Sequence, residues 1–333
     1  MGLLLPCLIG IGLFTLAGQG TPRRVIAFVT MSDYNPKLHL MDVQRRIVRR
    51  VSDIPVSSCC PIWSPDGTAI AFNGNNEKNY VVDIYEGKTR RSTPSDWSGW
   101  VMGWTADGQQ VILRTLEASN GSLHQVDADG ENFKLLAEGA KDRFFLPQLS
   151  PDGRFAFYAQ RQSNTMDWTL YRLNLDDGTG RLLINESYTG REALAFSPDG
   201  GRAAYALTER REVIVMDADG SNPQRLKPTE DILGMVWSPD SQRILFLGQD
   251  AAGVPDVYVT DADGQNPRDL GIKGVLPFLS DLSWSPDGAQ IIFISESVKD
   301  KLDLYVMDAD GKNLQRLTFN NENYLYPAWQ PGA

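Results

Sequence analysis

Residues 63–67 read Trp63-Ser64-Pro65-Asp66-Gly67, and this phrase decides the fold because it returns along the whole chain. Each copy starts with a large apolar residue, which is followed by Ser-Pro-Asp-Gly or a variant of it. The copies begin at Trp63, Trp104, Leu149, Phe196, Trp237, Trp284 and Trp329. Neighbouring copies are 41 to 47 residues apart, and periods in the forties are typical of one four-stranded blade of a β-propeller.

The segments between the copies have the pattern of short antiparallel strands. An apolar run such as Arg243–Phe246 follows the phrase, and an alternating stretch such as Asp303–Met307 comes next. A second turn phrase, Asp-Ala-Asp-Gly, then precedes a short final stretch such as Gln315–Thr318. In such turns Pro presets its own φ, Asp bonds back to the backbone and Gly accepts a positive φ. Each period therefore predicts four strands joined by tight turns.

The two ends of the chain complement each other. The last copy, around Trp329, has no strand pattern after it, whereas three strand-like stretches precede the first copy, at Val25–Val29, Leu38–Asp42 and Arg46–Arg49. We expect these stretches to pair with the strand around Trp329, because that pairing closes the ring and removes a free sheet edge. The sequence thus predicts one all-β domain over residues 21–333, a seven-bladed propeller of four-stranded antiparallel blades.

Residues 1–20 form a separate predicted segment. No charged side chain occurs from Gly2 to Gly20, and small residues follow the apolar run Leu3–Ala17, as in a secretory signal peptide. We expect export to the periplasm or the extracellular space, with a mature chain that starts near Thr21. A basic leader is missing and two arginines follow the run, so the alternative is a membrane tether through residues 2–18. By the positive-inside rule, such an anchor would place the propeller in the cytoplasm.

The phrases Trp-Ser-Pro-Asp-Gly and Asp-Ala-Asp-Gly-x-Asn resemble the repeat of the TolB-type, WD-like β-propeller family over about residues 24–331. The resemblance implies a propeller and an extracytoplasmic scaffold that binds partner proteins. The family's namesake has an N-terminal α/β domain and six blades, whereas this sequence shows no such domain and seven blades. The resemblance is therefore specific for the repeat class and says little about a role in envelope integrity.

Charge narrows the choice of partner. The formal net charge is −10, and an acidic surface repels phosphate backbones, which makes nucleic acid a poor partner. We expect the partner to be a protein, a peptide or a glycan of the cell envelope.

Motifs of catalysis and of metal binding are weak. A serine hydrolase needs a Gly-x-Ser-x-Gly elbow, which does not occur, and the only histidines, His39 and His124, are expected to pack on neighbouring strands or to face solvent. The Asp-Ala-Asp-Gly phrase lacks the other ligands of a calcium loop. We expect a non-catalytic protein without metal or cofactor. The alternatives are a structural envelope component, or a hydrolase or lyase that acts at the central channel through acidic loop residues: Asp96, Asp142, Glu192, Asp231 and Asp281.

Cys59 and Cys60 are adjacent and lie in the loop that enters an innermost strand. In an oxidising compartment they would form a vicinal disulfide that stiffens the loop, and otherwise they would stay two thiols.

Aromatic residues concentrate in the loops that enter the innermost strands. In a propeller these loops share one face around the channel, while both turn phrases lie on the other face. The candidate binding residues are Trp97, Trp100, Phe144, Phe145, Tyr188, Phe278, Tyr324 and Tyr326. An aromatic rim beside polar loops resembles a recognition surface. The alternative is that these side chains only pack one blade against the next.

Overall fold

The computed structural model describes residues 24–31, 35–57, 60–115, 122–137, 145–150, 152–161, 168–175, 177–188, 194–207, 212–226, 231–249, 254–272, 282–298 and 301–332. The predicted signal segment lies outside these residues. Within them, no helix combines the length and the apolarity that a membrane crossing requires.

Seven four-stranded antiparallel sheets form a ring of blades, which confirms the predicted seven-bladed all-β propeller. From the channel outwards, blade 1 contains β28 (Asn323–Trp329), β1 (Val25–Met31), β2 (Lys37–Asp42) and β3 (Ile47–Arg50). Blade 2 contains β4 (Ile62–Trp63), β5 (Ala69–Asn73), β6 (Asn79–Asp83) and β7 (Thr89–Arg91), and blade 3 contains β8 (Gly99–Trp104), β9 (Gln110–Thr115), β10 (Leu123–Asp127) and β11 (Lys134–Ala137). Blade 4 contains β12 (Phe145–Leu149), β13 (Phe155–Arg161), β14 (Trp168–Asn174) and β15 (Gly180–Tyr188), and blade 5 contains β16 (Leu194–Phe196), β17 (Arg202–Leu207), β18 (Glu212–Asp217) and β19 (Gln224–Leu226). Blade 6 contains β20 (Asp231–Trp237), β21 (Arg243–Gln249), β22 (Pro255–Asp261) and β23 (Arg268–Asp269), and blade 7 contains β24 (Leu282–Trp284), β25 (Gln290–Val298), β26 (Lys301–Asp308) and β27 (Gln315–Arg316).

Both ends of the chain build blade 1, as the sequence predicts. Strand β28 pairs with β1 so that Trp329 lies opposite Ile26 and Leu325 lies opposite Val29. The backbone N–H of Gln330 then donates to the carbonyl of Val25 over 2.9 Å. The ring is therefore closed by hydrogen bonds of the sheet itself.

In blades 2, 3, 6 and 7 the tryptophan that starts the repeated phrase fastens the blade to the preceding one. The indole Nε1 of Trp104 donates to the carbonyl of Ile62 over 3.0 Å, and that of Trp237 donates to Ala195 over 3.1 Å. The same bond joins Trp63 to Ala328 and Trp284 to Val236. These four indoles are buried and pack in the apolar layers between blades. The repeat residue thus contributes both burial and a directed hydrogen bond.

Side chains of the two turn phrases form the same bonds from blade to blade. In the fifth-blade copy, Ser197 Oγ donates to Asp199 Oδ1 over 2.6 Å and accepts the N–H of Arg202 over 2.8 Å. In the second phrase, an asparagine five residues on donates its Nδ2 to the first aspartate, over 2.5 to 2.7 Å. These pairs are Asn132 to Asp127, Asn222 to Asp217, Asn266 to Asp261 and Asn313 to Asp308. The carboxylates therefore hold hairpins together.

The topology gives the ring two different faces. Both turn phrases join strands on one face, which we call the turn face. The loops between the second and third strands, and those from one blade to the next, lie on the opposite face, which we call the loop face.

Candidate functional site

The innermost strands carry a recurrent irregularity just inside the loop face. In β8, β12, β20 and β28 the pairing register shifts by one residue, within about four residues of the point where the strand begins at the loop face. In β8 the extra residue is Met102, in β20 it is Leu233, and in β28 the bulge falls at Tyr326-Pro327. Bulges bend a strand, re-aim its side chains and are frequent beside functional sites. The channel mouth on the loop face is therefore the candidate site.

Trp100 stands at the start of β8, on the loop-face side of the bulge, and its side chain is half-buried. A buried pair of amides fixes the backbone on both sides of it. Asn79 Nδ2 donates to the carbonyl of Gly99 over 3.0 Å, and the N–H of Val101 donates to Asn73 Oδ1 over 2.9 Å. Asn79 Nδ2 also donates to Asn73 Oδ1 over 2.7 Å. Blade 2 thereby sets the position of Trp100 before any partner arrives.

Trp97 occupies a different environment, three residues earlier in the same loop. Its ring lies 5.3 Å from the ring of Phe133 and 5.6 Å from that of His124, as centroid distances. A Cβ at Gly99 would overlap the Trp97 ring, so only glycine allows this packing. Lys78 Nζ donates to the carbonyl of Trp97 over 2.8 Å and ties the loop to blade 2. Trp97 therefore packs onto blade 3.

Tyr324 also packs rather than projecting. Only 4% of its surface is exposed, its ring lies 5.6 Å from that of Phe28, and its hydroxyl donates to Asn320 Oδ1. Burial, together with the nearby carboxylate of Glu322, raises the pKa of Tyr324 to about 12. The phenol is accordingly neutral at physiological pH and acts as a packing residue of blade 1.

Tyr326 lies in the bulge of β28 with a φ of 55°. A bulky residue rarely adopts this left-handed conformation, which costs about 1–2 kcal/mol and persists only where the surroundings enforce it. The side chain is half-buried and packs against the apolar layer that contains Val29 and Trp63, between blades 1 and 2. Tyr326 and Trp100 are thus the two described aromatics that sit on bulged innermost strands with part of their surface exposed.

The remaining predicted residues are placed only in part. Phe144, Phe278 and Cys59 lie outside the described residues. Phe145 begins β12 and Tyr188 ends β15, which puts both at the loop-face end of blade 4. Cys60 is half-buried beside β4.

The two histidines pack among aromatic rings. His39 stacks on Phe28 at 5.7 Å, and His124 stacks on Phe133 at 5.0 Å. Burial lowers the pKa of each imidazole below its ordinary value, so both are neutral at physiological pH. Among the described residues, no three His, Cys, Asp or Glu side chains are grouped as a metal site would require.

The sequence identifies the aromatic residues, but it does not show which of them pack between strands and which stay partly exposed. The bulges leave only a weak sequence signal, a proline in β12 and β28 (Pro147 and Pro327) and a glycine in β8 and β20 (Gly103 and Gly234). The polar side chains Asn73 and Asn79 are visible in the sequence, yet only the pairing of β5 with β6 brings them together beneath the next blade.

Residues 21–187, about half of the chain, match the TolB beta propeller domain. The chain belongs to the TolB β-propeller family. A relative, an uncharacterized protein of Agrobacterium fabrum, is 24% identical over 204 residues, which cover 55% of this chain and 67% of the relative. The Tol-Pal system protein TolB of Thioalkalivibrio sulfidiphilus is 34% identical over 79 residues, which cover 23% of this chain and 17% of that protein.

Solved structures of several kinds share the TolB-like propeller. TolB from Acinetobacter baumannii aligns over 92% of this chain and 82% of its own, with a TM-score of 0.58 and 15% identity. Oligogalacturonate lyase from Vibrio parahaemolyticus aligns over 85% of both chains, with a TM-score of 0.67 and 14% identity. At such identities the similarity shows the fold alone, and it includes both a TolB protein and an enzyme.

Proposed function

We propose that this protein is a non-catalytic, extracytoplasmic binding propeller that recognises a protein, a peptide or a glycan of the cell envelope at the loop-face mouth of its channel. Trp100 and Tyr326 are the contact residues within the described part of the aromatic set. Phe144, Phe145, Tyr188 and Phe278 extend the same surface in the proposal. Trp97 and Tyr324 support it from beneath.

The observation that carries the proposal is the setting of Trp100. A half-exposed indole on a bulged innermost strand is held by two buried amides that bond to the backbone on either side of it. Fixing a binding residue in advance lowers the entropy that binding must overcome. Aromatic anchors in preformed pockets are the usual centres of binding energy.

The strained backbone of Tyr326 supports the same location. Left-handed φ values of bulky residues concentrate at ligand-binding and switch positions. Blades 1 and 3 therefore contribute one half-exposed aromatic each, and blade 2 stands between them as the frame that contacts both.

The proposed location outside the cytoplasm rests on residues 1–20 and on the family. An uncharged apolar segment with small residues at its end is read by the export machinery. N-terminal sequencing of the protein from its native host is expected to begin near Thr21. An intact Met1 in the cytosolic fraction would reverse this assignment, and an intact Met1 in the membrane fraction would favour the tether.

The binding site is tested with Trp100→Ala. Truncating a central aromatic typically costs about 2 kcal/mol or more of binding free energy, which is roughly 30-fold in affinity. We expect capture of envelope components from an extract to fall by that order, while the melting temperature stays close to that of the wild type. Quantitative mass spectrometry of the captured material measures the loss.

Tyr85→Ala is the matched control, since Tyr85 is an aromatic with 59% of its surface exposed and lies in a hairpin of the turn face. It should leave capture unchanged. Equal capture by wild type and Trp100→Ala, or equal losses in both variants, would refute the site. Turnover of a captured glycan or peptide that Trp100→Ala abolishes would replace binding by catalysis.

A further inference from the structure

On the turn face, a groove of about 410 Å³ lies between blades 2 and 3, on the opposite side of the ring from the proposed binding site. One wall comes from blade 2 and includes Asp83, Lys88 and Arg90. The other wall comes from the turns of blade 3. The complete lining is Ala69, Val81, Asp83, Lys88, Arg90, Gln109, Asp127, Ala128 and Asp129.

The groove coincides with the hairpin of blade 2 that departs from the repeat. In blades 3, 5, 6 and 7, an asparagine five residues after the first aspartate donates to that aspartate's Oδ2. In blade 2 this position is Lys88, in the sequence Asp83-Ile84-Tyr85-Glu86-Gly87-Lys88. Asp83 Oδ1 accepts the backbone N–H groups of Tyr85 and Glu86, both over 2.8 Å. Among the described residues, no donor reaches its Oδ2.

The neighbouring basic residue adds a second cation. Arg90 lies opposite Val81 in the pairing of β6 with β7, a position at which blades 3 and 6 also carry a basic residue (Lys134 and Arg268) and blades 5 and 7 carry Gln224 and Gln315. Of these five blades, blade 2 alone has a further cation two residues earlier, at Lys88. Residues two apart on an extended strand share a face, so Lys88 and Arg90 both point into the groove that they line. Within the described part of the chain, neither side chain forms an ion pair or a hydrogen bond, and both are exposed.

The facing wall supplies acceptors that are already held in place. Asp127 accepts Gln110 Nε2 over 2.7 Å and Asn132 Nδ2 over 2.5 Å. Asp129 uses one oxygen, Oδ1, to accept the N–H of Glu131. The groove therefore combines two unpaired cations with carboxylate oxygens that can accept hydroxyl hydrogens.

We infer that this groove binds a small acidic sugar, that is, a hydroxylated ring that carries a carboxylate or phosphate group. The acidic group accepts charge-assisted hydrogen bonds from Lys88 and Arg90. Ring hydroxyls donate to Asp83 Oδ2 and to Asp129, and the C–H face of the ring lies on Val81 and Ala128. A simple anion has no hydroxyl groups to donate to the three carboxylates of the groove, and a neutral sugar has no negative charge to pair with Lys88 and Arg90. The ligand must therefore carry both hydroxyl groups and an acidic group.

The test uses the full-length chain and two probes, D-glucuronate and glucose 6-phosphate, titrated by calorimetry at low ionic strength. At least one probe should bind, and the one that binds more tightly identifies the acidic group. D-glucose and inorganic phosphate, which carry one half of the chemistry each, should bind at least about tenfold more weakly.

The decisive variant restores the repeat. Lys88→Asn with Arg90→Gln places in blade 2 the residues that blades 5 and 7 carry, so the hairpin gains its clamp and the melting temperature should stay or rise. Affinity for the probe should fall at least about tenfold. Arg91→Gln is the control for the Arg90→Gln part of this variant, because it removes one positive charge from the opposite face of β7 and should leave affinity unchanged.

Several results would overturn the inference. These are no binding of either acidic sugar, binding of glucose or phosphate as tight as that of the acidic sugars, or full affinity in the restored variant. An equal loss in Arg91→Gln would show general charge attraction in place of a site. None of these outcomes bears on Trp100 or on the loop face.

Discussion

The two faces of the ring are stabilised in different ways. On the turn face the same side-chain hydrogen bonds recur. In the first hairpin of a blade a serine hydroxyl donates to an aspartate, as Ser197 does to Asp199, and in the second an asparagine amide donates to an aspartate, as Asn222 does to Asp217. On the loop face each junction is individual. Blade 2 holds its neighbour through Asn73 and Asn79, whereas blade 7 uses a buried carboxylate, that of Asp303, which accepts Thr318 Oγ1 over 2.8 Å.

This difference separates the residues that define the architecture from those that can define a function. A bond that every blade repeats supports the hairpin and leaves little room for specificity. A bond that occurs once sets the position of one loop, and binding residues are usually presented by loops on a rigid scaffold. One hairpin of the turn face that departs from the repeat, that of blade 2, is also the place where a groove opens.

The largest effect is expected from Trp284→Ala, which removes a fastening between blades 6 and 7. Trp284 has 5% of its surface exposed and donates to the carbonyl of Val236 over 3.3 Å. Truncating a buried tryptophan costs about 3–5 kcal/mol of unfolding free energy, because the cavity cannot collapse fully. Urea denaturation measures the loss, and it should extend to the whole ring since closure joins all blades.

Trp284→Phe separates the two contributions of the indole. It keeps most of the burial and loses the hydrogen bond, which is worth about 1 kcal/mol. If the Ala and Phe variants were equally destabilised, the hydrogen bond and not the packing would dominate the junction.

A smaller loss is expected from Asn73→Ala on the loop face. The change leaves the N–H of Val101 without its acceptor and removes one of the two acceptors of Asn79 Nδ2, which costs about 1–3 kcal/mol. The local structure around Val101 should lose more stability than the ring as a whole. The Val101 amide is therefore expected to exchange its hydrogen faster in hydrogen-exchange mass spectrometry of this segment. Asn76→Ala, in the exposed turn of the same hairpin, is the control and should leave that exchange rate unchanged.

The sequence predicts the turn face well for a physical reason. Ser, Pro, Asp and Gly fix a hairpin through interactions within about six residues, so the six copies that precede a further strand predict six hairpins. The large apolar residue that starts each copy, such as Trp63 or Trp237, marks the end of the inner strand of its blade. Ring closure through Val25–Val29 and Trp329 also follows, because unpaired strands at the two ends have one way to complete a blade.

The loop face is predicted less well because its contacts are distant in sequence. Trp97 and Trp100 look alike in the sequence, and nothing local says that the first packs on Phe133 while the second stays half-exposed. The outcome depends on Asn73, on Asn79 and on a bulge at Met102, none of which belongs to a repeated phrase. Tertiary contacts decide such positions.

Tyr326 allows the strain on the loop face to be measured by itself. Tyr326→Ala removes the aromatic packing and keeps a Cβ in the left-handed conformation, whereas Tyr326→Gly removes the same packing and also relieves the strain. The glycine variant should therefore be more stable than the alanine variant by about 1 kcal/mol. In an unstrained strand the order reverses, so an alanine variant of equal or higher stability would show that the φ of 55° costs nothing. Paired thermal unfolding of the two variants gives the difference directly.

The smallest expected effect is a pH dependence of the turn-face hairpins, for which Asp199 is the clearest case. The hydrogen bond from Ser197, followed by that from the N–H of Gly201, lowers the pKa of Asp199 below 3.8. Because the folded pKa lies below the unfolded value, the carboxylate stabilises the fold above about pH 4, and this contribution is lost as the pH falls through the folded pKa. Asp199→Asn should therefore flatten the decline of the melting temperature below pH 4, by a modest amount since the group is largely exposed. Ser197→Ala removes the principal donor and should flatten the same part of the curve, whereas an unchanged slope in both variants would mean that this hairpin does not contribute to acid sensitivity.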